Sequence, residues 1–295
     1  MRVAVLGMGN MGRAVATRLL GHGCEVTVWN RTPGKAAQVV EAGALEASTP
    51  GEAAKGAQAV LMSLADDRAV LEVVERLDEI GAGPGAPVLA DMSTVSPDTS
   101  RRLRDTVPER RFLAVPIIAA PRTVTDGLAA GLLGGDRALV DDLEPLWRQL
   151  FCVHWYCGED PGAATTFKLL NNYLLMSSVA VAAEVVGAAE AAGLDTGLLR
   201  EVLDQWPTVP LAIRNRLDDM IGGDHRRGWF ATWLGAKDVR LVAEVAEAHG
   251  LSLPIARLVE RRYQETAERG WREADIAAAV ELVRAERRHS APGQG

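Results

Sequence analysis

The first half of the chain alternates short apolar runs with longer stretches in which apolar residues recur every three or four positions. Residues 3–6, 25–29, 59–64, 88–91 and 112–115 read as strands, the inner ones apolar enough to be buried on both faces. Helical periodicity fills the intervals at 11–21, 34–42, 68–77 and 97–105. Strands alternating with helices in this way require parallel pairing through right-handed crossovers, so an α/β doubly wound parallel sheet is expected. Residues 152–155 are the weakest strand candidate. After Gly158-Glu159-Asp160-Pro161-Gly162 the pattern changes. Residues 163–192 are apolar and alanine-rich, with Lys168, Glu184 and Glu190 as their charges, which predicts a long helix buried on most sides. Helical periodicity continues at 198–205, 212–220, 234–248 and 255–269, broken at Trp206-Pro207, Gly222-Gly223 and Leu253-Pro254. The expected organisation is an α/β nucleotide-binding domain over 1–161, an all-α domain over 162–288 opened by the long helix, and a flexible tail over 289–295.

The first strand runs straight into Gly7-Met8-Gly9-Asn10-Met11-Gly12, a G-x-G-x-x-G between strand and helix. The first glycine permits a tight turn, the second lets a pyrophosphate approach the backbone, and the third lets helix and strand pack closely. The second strand ends in Trp29-Asn30-Arg31-Thr32, where an NAD site usually carries an acid for the ribose hydroxyls. Arg31 instead offers a planar cation for a 2′-phosphate, with Asn30 and Thr32 as neutral donors, so NADP(H) is the expected cofactor. The alternative is that Arg31 is a solvated turn residue.

Lys168 and Asn172 lie four residues apart in the apolar helix and emerge from one face. An ammonium in so apolar a stretch is costly if buried alone, so it should face a wet or anionic cavity, where it can protonate a developing alkoxide. The competing reading is a lysine near a helix end pointing into solvent. Charge adds a limit: 32 basic and 39 acidic residues give −7, which argues against nucleic-acid or anionic-membrane surfaces and leaves small molecules as partners. Cys24, Cys152 and Cys157 form no disulfide framework, and neither they nor the five histidines show metal-ligand spacing, so no metal is expected. The short apolar run at the start lacks the length of a signal core, which gives a cytoplasmic expectation.

Several segments resemble the β-hydroxyacid dehydrogenase superfamily, which includes 3-hydroxyisobutyrate dehydrogenase and the glyoxylate/succinic semialdehyde reductases. They are the glycine turn, Asn30-Arg31-Thr32, Asp91-Met92-Ser93-Thr94-Val95-Ser96-Pro97, residues 162–172, and Phe230 followed by Lys237-Asp238. The resemblance implies a Rossmann domain, a long interdomain helix and a helical domain, assembled as a homodimer. It also implies roles: Lys168 as general acid, Asn172 as its neighbour at the substrate, Thr94 near the nicotinamide ribose, Leu64 and Ala65 lining the cofactor, and Lys237 near cofactor and substrate; Asn172 and Ser93 are expected to position the reacting oxygen. Where the superfamily usually reads Asp-Ala-Pro-Val-Ser-Gly-Gly, this chain has Ala114-Val115-Pro116-Ile117-Ile118-Ala119-Ala120. A small hydroxy acid would lose its hydroxyl anchor there and meet apolar surface, so a less polar substrate is expected, with Pro116, Ile117, Ile118, Ala119 and Phe230 around it. Arg122 is either a replacement anion anchor or a surface residue. The loop is also similar to that of the imine reductases, which generally lack the helix lysine. The expected activity is NADPH-dependent reduction of the carbonyl of a small, relatively apolar aldehyde, ketone or semialdehyde. The alternatives are imine reduction and non-catalytic NADP(H) binding. Trp229 and Trp233, near Phe230, either wall the pocket or pack the core.

Overall fold

The computed structural model describes residues 1–77, 85–107, 111–207, 209–226 and 229–290. Most of the expected tail, 291–295, lies outside them. The chain forms two compact units, Met1–Lys168 and Leu169–Gly295, and the division falls inside one continuous helix.

The first unit is built on β1 (Arg2–Leu6), α1 (Asn10–Gly21), β2 (Glu25–Trp29), α2 (Ala37–Glu41), β3 (Leu45–Glu46), α3 (Pro50–Ala54), β4 (Ala59–Met62), α4 (Asp67–Val74), β5 (Val88–Asp91), α5 (Pro97–Thr106) and β6 (Phe112–Ala114). Its parallel strands run in the order β3-β2-β1-β4-β5-β6. Val5 stands opposite both Val28 and Leu61, so β1 is central and the order reverses beside it. Buried side chains form one layer on each face of the sheet, as expected of strands covered on both sides. The chain continues through β7 (Ile117–Ile118), α6 (Pro121–Thr125), β8 (Ala130–Gly135), α7 (Arg137–Asp142), α8 (Glu144–Leu150) and β9 (Val153–Gly158). β8 is antiparallel to β6 and β7 and parallel to β9.

β3, β7 and β8 depart from the sequence expectation. Two are only two residues long. β8 reads Ala-Gly-Leu-Leu-Gly-Gly and resembles a loop, yet its glycines answer to packing: a side chain on Gly131 would meet the Phe151 ring, and one on Gly134 would lie 2.9 Å from Ala164 Cβ.

α9 (Pro161–Ala191) leads into α10 (Thr196–Gln205), α11 (Leu211–Arg214), α12 (Leu217–Gly222), α13 (Thr232–Ala248), α14 (Pro254–Thr266), a π-helical turn at Ala267–Trp271, a 3₁₀ turn at Ile276–Ala278, and α15 (Ala279–Ser290). The single helix expected over 212–220 divides because Arg216 leaves helical geometry (φ −121°, ψ −2°) and turns its guanidinium inward onto Asp275. Met176, Val179, Ala183 and Val186 of α9 pack with Val239, Val259, Tyr263 and Ile276 in the core of this unit. α9 is long and apolar enough to cross a membrane by composition, but that inward face is taken up by the core. Burial on most sides is not what the chain shows. Phe167, Leu170, Leu174, Val181 and Val185 are exposed, Leu174 by 73%.

Candidate active site

The parallel strands bring their C-terminal ends to one edge of the sheet, where α/β folds place ligands. Gly7 follows β1, Asn30-Arg31-Thr32 follow β2, Leu64-Ala65 lie just past β4, Ser93-Thr94 just past β5, and Pro116 past β6. The first unit thus gathers all of these predicted residues on one rim.

Each glycine of the turn has a separable reason. Gly7 has φ +97°, and a side chain on it would run into the Ser63 carbonyl. A side chain on Gly12 would overlap the Gly7 carbonyl oxygen, so this glycine lets α1 pack on β1. Gly9 has ordinary extended backbone (φ −69°, ψ −175°) and nothing within 4 Å of where its side chain would stand. It caps α1, whose N-terminal amides carry the positive end of the helix dipole. The space at Gly9 and a helix end with no side-chain cap fit a pyrophosphate.

Asn30 binds this turn to β2. Its Oδ1 accepts the Met8 N–H (2.8 Å) and its Nδ2 donates to the Thr32 carbonyl (2.8 Å). It therefore shapes the turn, in addition to any donor role. Arg13 reinforces the same loop by donating to the Met8 carbonyl at 2.9 Å. Arg31 is exposed, 3.5 Å from Glu72, which Arg68 also binds. Asn10 and Ala65 are exposed at the rim, and Met8 and Gly12 are buried beneath it, with Met11 half-buried.

Ser93 is buried. Its backbone N–H donates to Asp91 (3.0 Å) and its hydroxyl accepts the Leu64 N–H (2.9 Å), which leaves the hydroxyl proton to be donated elsewhere. The β6–β7 loop divides its apolar residues: Ile117 is 3% exposed and packs in the sheet core, and Pro116 is also buried. Ile118 and Ala119 are half-buried. Arg122 is 92% exposed and lies 3.6 Å from Asp126 on its own helix, the surface reading of the two.

Lys168 is 8% exposed and is the last residue of the first unit; Asn172 follows one turn later at 2% exposed. In the second unit the Asn172 Nδ2 donates to Asp238 Oδ2 at 2.7 Å, and Lys237 Nζ lies 3.2 Å from the other Asp238 oxygen. A carboxylate only accepts, so Asp238 fixes which end of the Asn172 amide it faces. Phe230 is half-buried, and its N–H donates to Asp275 at 3.1 Å. Trp229 lies beneath two guanidinium groups, Arg216 at 5.0 Å and Arg226 at 4.2 Å, and Arg272 lies 4.8 Å from Trp233.

Residues 2–156 match the family model described as the NAD binding domain of 6-phosphogluconate dehydrogenase, and residues 162–283 match that described as NAD-binding of NADP-dependent 3-hydroxyisobutyrate dehydrogenase. The chain belongs to the β-hydroxyacid dehydrogenase superfamily. It is a nicotinamide-cofactor oxidoreductase of that group. Among superfamily relatives, glyoxylate/succinic semialdehyde reductase 1 of Arabidopsis thaliana is 29% identical over 290 residues, covering 96% of this chain and 99% of that protein. An uncharacterized oxidoreductase of Bacillus subtilis is 31% identical over 291 residues, with 96% and 100% covered. The solved 3-hydroxyisobutyrate dehydrogenase of Salmonella typhimurium superposes with a TM-score of 0.88 at 21% identity, covering 96% and 99%, and so shares the fold. An imine reductase of Streptomyces aurantiacus gives 0.65 at 26% identity, covering 96% and 99%.

Two residues of interest escaped the sequence reading as individuals. Asp238 was visible only as the second half of Lys237-Asp238; its signal is an acid on the α13 face that otherwise carries Gly235, Ala236, Val239 and Val242 inward. Asp275 had no usable signal, because its partner Arg216 is 59 residues away.

Proposed function

We propose that this oxidoreductase uses NADPH to reduce the carbonyl of a small, relatively apolar aldehyde, ketone or semialdehyde, with Lys168 as the general acid. The observation that carries the reading is Lys168 itself, a buried ammonium in the apolar helix α9, one turn from buried Asn172. A solvated helix-end lysine would not be buried to this degree. The glycine turn and the helix end behind it hold the pyrophosphate, with Thr94, Leu64, Ala65 and Lys237 contributing to the cofactor site. The reduced nicotinamide, when bound, supplies hydride. Lys168 delivers the proton to the substrate oxygen, while Asn172 and the free donor of Ser93 orient that oxygen. Preference for NADPH rests on the exposed Arg31 and the lack of an acid at the end of β2. Ile118, Ala119 and Phe230 make the substrate wall apolar. Residues 1–161 serve as the cofactor domain and 162–288 as the substrate and dimerisation domain of a cytoplasmic homodimer. The exposed apolar stripe of α9, together with Leu198 and Val202 on α10, a helix with no buried residue, supports that assembly.

A second reading is imine reduction, favoured by the apolar loop and by the likeness to imine reductases. The test follows NADPH and NADH consumption with succinic semialdehyde, butyraldehyde and a cyclic imine, for the parent protein and Lys168→Ala. Carbonyl turnover, with kcat lowered roughly 10²- to 10⁴-fold in Lys168→Ala and NADPH affinity retained, is expected. Turnover of the imine alone selects the second reading, and full activity of Lys168→Ala refutes the lysine's role.

A further inference from the structure

α9 changes company along its length. Its first eight residues belong to the dinucleotide-binding unit, and the division falls immediately after Lys168. Thr165, Lys168 and Asn172, at spacings of three and four, lie on one helix face, and all are buried, at 1%, 8% and 2% exposed. Thr165 Oγ1 lies 2.8 Å from Ser100 Oγ, on α5, and Ser100 is fully buried. One turn earlier, Asp160 accepts the Arg101 Nε (3.1 Å) and Nη2 (2.9 Å), while its other oxygen accepts the Gly162 N–H at 3.1 Å. Gly162 permits this contact, because a side chain there would stand 2.9 Å from the guanidinium. α5 begins three residues after Thr94, so the helix that receives both contacts is the one that leads out of the Ser93-Thr94 rim.

We propose that Ser100, Arg101, Asp160 and Thr165 are positioning residues that lock the rotational phase of the base of α9 to α5, and so aim Lys168 relative to the Ser93-Thr94 rim. The polar pair is chosen for direction. Thr165 Oγ1 has a longer contact to the Pro161 carbonyl of its own helix (3.5 Å), but the 2.8 Å bond to Ser100 forms in only one helix rotation, whereas an apolar contact would tolerate slippage. The Asp160 clamp sets the axial position while the Ser100–Thr165 bond sets the rotation. Both lie on the cofactor-binding side of the division, so Lys168 is held as part of that unit. This inference rests on Lys168 being the proton donor.

The test compares Thr165→Val, which keeps the shape and removes the hydroxyl, Thr165→Ser, which keeps the hydroxyl, and Ser100→Ala. Thr165→Val should lower kcat about tenfold, below the roughly 10²-fold that a full 1 Å misplacement can cost, with substrate KM and NADPH Kd within about twofold. Thr165→Ser should restore most of kcat, and the Ser100→Ala/Thr165→Val double variant should lose little more than either single one. Amide hydrogen exchange supplies a readout independent of turnover: protection over 161–168 should fall in Thr165→Val while that over 176–186 is unchanged. Unaltered kcat in Thr165→Val beside a crippled Lys168→Ala would overturn the registry and leave the lysine standing. Full activity of Lys168→Ala would remove the lysine reading and this inference with it, and unaltered exchange over 161–168 would overturn the registry whatever the substrate.

Discussion

Gly9 and Gly12 sit three residues apart in one turn, yet alanine at each should produce opposite phenotypes. At Gly12 the added methyl would overlap the Gly7 carbonyl oxygen, and both atoms belong to backbone that cannot rotate away. α1 would have to lift from β1, an overpacking cost of about 1–3 kcal/mol. Gly9 has a backbone conformation that alanine adopts freely and no protein atom within 4 Å. Gly9→Ala should therefore leave the apoprotein unchanged or more stable by about 0.4–1 kcal/mol, through a less disordered unfolded chain. The same methyl fills the space through which the pyrophosphate must reach the helix amides, so NADPH should bind at least about tenfold more weakly, a loss of roughly 1.4 kcal/mol or more. Urea unfolding of the apoproteins and NADPH titration by fluorescence separate the two effects. If Gly9→Ala binds NADPH within twofold of the parent, or is destabilised as much as Gly12→Ala, the assignment of the open space at Gly9 to phosphate is wrong.

Arg31→Asp should reduce the NADPH-over-NADH ratio of kcat/KM by roughly tenfold or more, the worth of a charge-assisted contact to phosphate; an unchanged ratio would make Arg31 a solvated turn residue. Asp275→Ala should cost about 3–5 kcal/mol in urea unfolding, because it strands the buried Arg216 guanidinium and the Phe230 and Ala277 N–H groups that its carboxylate satisfies. A pH effect comes from Asp160. Its partial burial raises the carboxyl, but the Arg101 and Gly162 hydrogen bonds outweigh that and hold it below its ordinary value of 3.8. A depressed folded value means that the contribution is complete above the ordinary value and disappears as pH falls through the folded one. The difference in melting temperature between the parent and Asp160→Asn should thus be constant from about pH 7 to about pH 5 and close under stronger acid. A gap that persists at about pH 2 would show that the carboxylate charge is not what the clamp uses.

The elements that sequence periodicity located well are those whose burial is regular. β1, β2 and β5 match the predicted runs within a residue, and α9 begins two residues early and ends one early. The misses share a cause: contacts distant in sequence override local pattern. Gly131 and Gly134 look like loop glycines until Phe151 and Ala164 are seen against them, and Arg216 falls inside one expected helix until Asp275 accepts it. At the site, the glycine turn was legible because its chemistry is local. Ile117 and Ile118 were not separable there, because two neighbouring positions of a short strand face opposite sides of the sheet, and composition does not say which is inward.

Trp29 closes β2 with its carbonyl accepting the Gly7 N–H at 2.8 Å, its indole 4% exposed beneath the Arg76 guanidinium at 5.3 Å. Trp147, fully buried, donates its indole N–H to the Val140 carbonyl within the same unit. The protein therefore carries its own optical gauge. With the other five of the seven tryptophans replaced by phenylalanine, emission from Trp29 should respond when the adjoining turn is loaded with dinucleotide, and that from Trp147 should change when the sheet itself comes apart.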